Sequence, residues 1–108
     1  MWLFTTYGFL SVVQHNSMPE HFQIKSRVAD PLRELWPDHA LEVIDWADYR
    51  FRITTEKSVA LPVLLEVMGS VDYTSFKGAC GQDSRYHLTL TKVWNIMYSY
   101  QSEMESLI

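Results

Sequence analysis

The sequence has 108 residues, of which 47% are hydrophobic and 20% charged, and its formal net charge is −4. This composition excludes a disordered or fibrous chain, and the length predicts a single domain over residues 1–108. The excess of acidic residues argues against a general binder of nucleic acid, because duplex affinity depends largely on neutralised phosphates.

The first part of the chain predicts three strands. Aromatic and β-branched residues over Trp2–Gln14 indicate two strands joined by a turn near Tyr7-Gly8. Alternation of polar and apolar residues then predicts a third strand over Phe22–Val28.

A short helix and two more strands follow. Asp30-Pro31 is typical of a helix start, with Asp30 as the cap, and Pro37 ends the helix. The segments Leu41–Trp46 and Asp48–Thr54 predict strands four and five, with a turn between them.

The last part of the chain predicts helices. An apolar stripe indicates a helix from about Ser58 to Met68, with Gly69 at its C-terminal cap. We expect Asp72 to cap a short helical segment, and Asp83 or Ser84 to cap the last helix.

This order of elements predicts an α+β fold. We expect a two-layer sandwich in which two to four helices cover one face of a mainly antiparallel sheet of about five strands. A ferredoxin-like arrangement is a candidate for its middle part. One apolar side of the last helix is expected to contribute to the cover, and it consists of Val93, Ile96, Met97 and Tyr100.

Two strands with alternating basic residues, FQIKSRV and ADYRFRI, indicate a binding surface. If Ile24 and Phe51 face the helices, the basic side chains emerge together on the other face. The candidate residues for binding an anion or a partner are Lys25, Arg27, Asp48, Tyr49, Arg50 and Arg52. Arginine binds carboxylate and phosphate bidentately. The alternative is cross-strand pairing with acidic residues such as Glu42, or plain solvation of an outer face.

Aromatic residues make up 14% of the chain. We expect those in apolar stretches to lie in the core, namely Trp2, Phe4, Phe9, Phe51, Trp94 and Tyr98. A platform for stacking bases would need two or three rings on the open sheet face beside the arginines, and Tyr7 and Tyr49 are the candidates.

The sequence predicts neither a catalytic residue nor a cofactor or metal site. Cys80 and Arg85 are one residue too close for the cysteine-phosphatase signature, so we interpret Cys80 as an incidental thiol. The four histidines lack helical metal-ligand spacing, and no Gly-rich phosphate loop is present.

A soluble cytoplasmic protein without a membrane partner is expected. The single cysteine excludes an intrachain disulfide and suits a reducing compartment. The opening stretch has no basic residue ahead of its apolar run, so a signal peptide is not predicted. The longest apolar run, VALPVLLEV, is too short to span a bilayer.

Four spaced motifs, WLFTTYGFLSVVQ, ADYRFR, VDYTSFK and VWNIMY, resemble a family of small bacterial proteins of unknown function. The resemblance covers nearly the whole chain and implies no activity. Where the family pattern has an aromatic residue ahead of Val-Trp, this chain has Leu90, and GACGQD is particular to it. The matching positions are Ser11, Gln14, Arg27, Asp48, Tyr49, Arg52, Asp72, Tyr73, Phe76, Lys77 and Trp94.

Two hypotheses for function follow. In the first, the chain is a non-catalytic binding or regulatory module whose partner is another protein, such as an acidic one, or a second copy paired through an exposed edge strand. In the second, it handles nucleotides or nucleic acid, as a binder or a hydrolase, with the basic strands holding phosphate.

Overall fold

The computed structural model describes residues 1–107, which form five strands and four helices. The chain divides into two compact units, Met1–Asp72 and a second that begins at Tyr73. The single domain that the sequence predicts stays a prediction.

The first unit contains one antiparallel sheet with the strand order β1-β2-β3-β5-β4. This sheet, with the helices, confirms the predicted α+β class, although it does not confirm a ferredoxin-like arrangement. The predicted fourth strand is reduced to two residues. The strands are β1 (Trp2–Thr5), β2 (Gly8–Gln14), β3 (His21–Ser26), β4 (Glu42–Val43) and β5 (Phe51–Glu56).

The helices are α1 (Asp30–Leu35), α2 (Lys57–Gly69), α3 (Phe76–Ala79) and α4 (Ser84–Glu105). Of the two predicted caps, Asp83 is the one that caps α4, since its carboxylate accepts hydrogen bonds from the backbone amides of Arg85 and Tyr86. Gly69 ends α2 but Ser70 stands at the cap, and Ser75 rather than Asp72 caps α3. Within residues 1–107, no helix is both long and apolar enough to cross a membrane.

The core of the first unit lies between the sheet and two helices. Inward side chains of β2, β3 and β5 meet α1 and the inner side of α2. Each large aliphatic side chain buried in this way contributes about 1.5–3 kcal/mol to stability. The buried cluster consists of Leu10, Val12, Ile24, Leu32, Trp36, Ile53 and Ala60.

The β1–β2 turn packs closely against the start of α1. The Thr5 hydroxyl donates to the Gly8 carbonyl at 2.8 Å and accepts from the Gly8 amide at 3.2 Å. Gly8 has φ +138°, and a Cβ there would lie 3.0 Å from the Pro31 ring. Glycine is therefore needed for both conformation and space. At this junction Ala29, not the predicted Asp30, stands at the cap of α1.

The second unit has a much smaller interior. α3 contacts α4, and among residues 73–107 only Cys80 and Leu90 are buried hydrophobic residues. The prediction that the apolar side of α4 is covered is wrong for Ile96, Met97 and Tyr100, which are exposed. Periodicity identified the face but not an element to cover it.

Candidate binding surface on the open sheet face

Strand register sorts the side chains of the sheet onto two faces. Ile24 and Ile53 are cross-strand partners and point into the core beneath the helices. Lys25 and Arg52 are the next pair along the same two strands, so they point to the opposite face. We call this opposite side the open face, because α1 and α2 pack on the other one.

A single row of neighbours crosses all five strands on the open face. The pairing of adjacent strands links each residue to the next, from one sheet edge to the other. The row runs Trp2, Ser11, Lys25, Arg52 and Glu42. It therefore offers an exposed indole at one end, a carboxylate at the other and two basic residues between them.

Lys25 and Arg52 form an unfavourable pair at the centre of this row. Like charges directly opposite each other across strands are destabilising. Glu42 lies opposite Arg52, but the ion pairs within residues 1–107 do not include these three residues. Arg52 donates through Nη2 to the Tyr49 carbonyl at 2.9 Å, while its Nε is buried without a hydrogen-bond partner in the described chain.

Arg27 is already engaged by an acidic neighbour. Its Nη1 donates to the side-chain carboxylate of Asp48 at 2.8 Å and to the Asp48 carbonyl at 2.9 Å. The hydrogen bond to Asp48 raises the pKa of Arg27 above its ordinary value. The guanidinium also lies 4.3 Å from the centroid of the Tyr49 ring, which adds a cation–π contact. This geometry fits the alternative of intramolecular pairing better than that of a free anion-binding fork.

Arg50 is engaged in the same way at the β4–β5 turn. Its Nε donates to the Asp45 carboxylate at 2.9 Å, and both side chains are largely exposed. The guanidinium lies 5.4 Å from the Phe51 ring centroid. Of the four basic candidates, Arg27 and Arg50 thus have acidic partners, whereas Lys25 and Arg52 are outside the described ion pairs.

An aromatic cluster lies beside the basic residues, which corrects part of the predicted core. Phe9 contacts three other rings, with centroid distances of 5.6 Å to Trp2, 4.8 Å to Phe4 and 6.2 Å to Tyr49. Trp2, Phe4 and Phe9 are not core residues, because Leu3 and Leu10 occupy the inward positions of the first hairpin. Of the predicted core rings, Phe51 does pack against the core.

The remaining aromatic residues that the sequence predicted for the core are exposed, and so is one of the two stacking candidates. Trp94 and Tyr98 lie on α4 with their rings stacked 5.5 Å apart, and both are more than half exposed. Tyr7, a predicted stacking candidate, lies in the β1–β2 turn and has none of the ring contacts found in residues 1–107. Tyr49, the second candidate, does lie beside Arg27 on the open face. Knowing which residues of the first hairpin face outward would have identified Phe9, rather than Tyr7, as the ring that lies next to Tyr49.

The positions of the family resemblance fall into local clusters. Ser11 adjoins Lys25 in the open-face row. Gln14 is instead structural, because its amide donates to the Met18 and Pro19 carbonyls in the β2–β3 loop. In the second unit, Lys77 Nζ lies 4.5 Å from the ring centroid of Trp94.

Cys80 and His39, two groups with catalytic chemistry, are engaged within the fold. Burial, reinforced by the charge of Asp83, raises the pKa of the Cys80 thiol, which disfavours a reactive thiolate. His39 is held through Nε2 to the Thr55 hydroxyl at 2.9 Å. Among residues 1–107, no group of three or more His, Cys, Asp or Glu residues could hold a metal ion.

Comparisons with known proteins add no further assignment. No protein-family model, no curated protein and no solved structure matches this chain. The resemblance to a bacterial family therefore stays a prediction.

Proposed function

We propose that the protein is a non-catalytic binding module whose open sheet face binds an acidic segment of another protein. The observation that carries this proposal is the cross-strand pair of Lys25 and Arg52, two like charges held side by side outside the described ion pairs. A carboxylate between them would relieve their repulsion and form charge-assisted hydrogen bonds with both.

The aromatic cluster supports a peptide-like partner. Trp2 is 67% exposed at the sheet edge, with Phe4 and Phe9 partly buried behind it. Exposed aromatic residues beside basic ones are typical of protein interfaces. A second copy is a poor occupant of this face, because a symmetric pairing would bring Lys25 and Arg52 near the same charges of the other copy.

Selection of random peptides displayed on phage, followed by calorimetric titration of the selected sequences, tests the proposal. We expect the peptides to be enriched in Asp and Glu, and their binding to weaken about tenfold in Lys25→Glu. That loss corresponds to one charge-assisted hydrogen bond of about 1.5 kcal/mol.

The same variant separates a binding role from a structural one. A carboxylate at position 25 would lie opposite Arg52, so Lys25→Glu should stabilise the fold by up to about 1 kcal/mol while it weakens binding. Lys92→Glu, the same change on exposed α4, is the matched control and should leave binding unchanged. Selected peptides without acidic enrichment, or equal losses in both variants, would refute the proposal.

A second candidate function is single-stranded nucleic-acid binding. It is favoured by one observation, the stacked rings of Phe9 and Tyr49 on the open face, of which Tyr49 lies beside Arg27. Against it stand the net charge of −4 and the acidic partners of Arg27 and Arg50. Titration of the protein into fluorescent oligouridine and oligothymidine at several salt concentrations tests this second function. Binding that weakens steeply with salt and is lost in Lys25→Glu would favour nucleic acid, and no binding would eliminate it.

A further inference from the structure

Helix α4 carries a heptad-like apolar stripe. Its residues are separated alternately by four and three positions, the 3.5-residue repeat that places side chains along the seam between paired helices. The stripe consists of Tyr86, Leu90, Val93, Met97, Tyr100 and Met104, and Leu107 continues its spacing just beyond the helix.

Only the first half of this stripe is covered. Leu90 is 4% exposed, and Tyr86 and Val93 are partly buried, in the first half of α4. In the second half, Met97 is 58%, Tyr100 50% and Met104 48% exposed. One continuous stripe is thus partnered at one end and unpartnered at the other.

The uncovered part approaches the size of a specific interface. A groove lined by Trp94, Met97, Tyr100 and Met104 runs along this half of the helix, and Ile96 beside it is 68% exposed. Since an aromatic side chain removes about 150–250 Å² on full burial, half-exposed residues of this number offer on the order of 500 Å². Two such surfaces together approach the roughly 1,200 Å² at which stable interfaces begin.

The charge pattern beside the stripe favours an identical helix as its occupant. Charged residues flanking the seam normally select one partner helix over another. In the exposed half, the flanking positions are Trp94, Ile96, Gln101 and Glu103, of which one is charged. Gln101 is also turned along its own helix, donating to Glu105 at 2.9 Å. With one charged residue among these four positions, two identical helices can pair here without a row of like charges meeting across the contact.

We propose that α4 pairs with α4 of a second copy of the chain through Met97, Tyr100 and Met104, flanked by Trp94 and Ile96. This pairing uses a different surface from the open face and is independent of the proposed function. In this arrangement, the half of the stripe that is exposed within one chain becomes buried between two chains.

Sedimentation equilibrium of the full chain tests the pairing. The wild-type mass should rise from one chain to two as concentration increases from about one to a few hundred micromolar. Met97→Glu/Met104→Glu should remain at one chain over the same range, because buried unpaired carboxylates oppose the contact. The matched control is Asn95→Glu/Ser102→Glu, which adds the same charge at exposed positions off the stripe and should dimerise like wild type.

Two outcomes would overturn the pairing. One is a wild-type mass of one chain at every concentration, and the other is a dimer that persists in the stripe variant. Circular dichroism checks that the variant keeps its helix. Should it unfold, the wild-type thermal midpoint still decides, because a dimer makes that midpoint rise with concentration. Lys25→Glu should leave dimerisation intact, which separates this test from that of the open face.

Discussion

The two compact units bury apolar surface very differently. In Met1–Asp72, three strands and two helices enclose a contiguous cluster that includes Ile24, Ile53 and Leu32. In the described part of the second unit, Cys80 and Leu90 are the only buried hydrophobic residues, although α4 has a regular apolar stripe. The comparison shows that a periodic face becomes core only where a second element covers it.

Truncating one buried side chain in each unit should give the largest difference. Ile53→Ala should lower the free energy of unfolding by about 4 kcal/mol, because Ile53 is enclosed in the buried cluster and its truncation leaves a cavity there. Leu90→Ala should cost about 2 kcal/mol, at the low end for such truncations, since fewer neighbours surround it. Urea unfolding of both variants measures the difference. Equal losses would contradict the contrast between the units.

A smaller effect should come from the turn that fixes α1 to the first hairpin. Gly8→Ala should destabilise the first unit by about 3 kcal/mol, from strained backbone and contact with Pro31. Gly69→Ala is the control, since nothing lies within 4 Å of its added Cβ and its φ is not positive. It should raise stability by about 0.5–1 kcal/mol. Thermal unfolding checks both, and a neutral Gly8→Ala would show that the turn is not tightly packed.

The smallest effect should be a loss of stability of the second unit at alkaline pH. Burial raises the pKa values of Cys80 and Tyr86 in the folded chain, so the unfolded chain loses these protons first as pH rises. The contribution of these protonated groups to the free energy of unfolding is therefore fully present below the ordinary thiol pKa of about 8.5, and it decreases as pH rises above that value. Thermal midpoints measured by circular dichroism should decrease from about that pH. Cys80→Ala should flatten the first part of the decrease, and an unchanged profile would contradict the role of this thiol.

Local pattern predicted the elements and the basic row but not its electrostatics. Alternation alone placed Lys25 and Arg52 on one face, and the pattern of the next two segments predicted the turn between the fourth and fifth strands. The pairing of Arg27 with Asp48 joins residues 21 positions apart, which no local signal specifies. Which basic residues lack an acidic partner therefore depended on long-range contacts that strand register fixes.

The aromatic residues show the same limit. Phe9 lies in an apolar stretch, and its neighbour Leu10 is equally apolar, so composition could not tell which of the two faces inward. Register settles the choice, because a shift of one residue would exchange every side chain between faces. Likewise, the spacing on α4 predicted a common face for Met97 and Tyr100, but spacing contains no information on what covers it.

The strand order also implies a sequence of events during folding. β1, β2 and β3 are consecutive and close only short loops, whereas β5 reaches β3 across the whole segment that contains α1 and β4. Closing a longer loop costs more chain entropy and slows contact formation. We therefore expect the three-stranded meander to form first and to serve as the template on which β5 docks, so that Lys25 and Arg52 come together late.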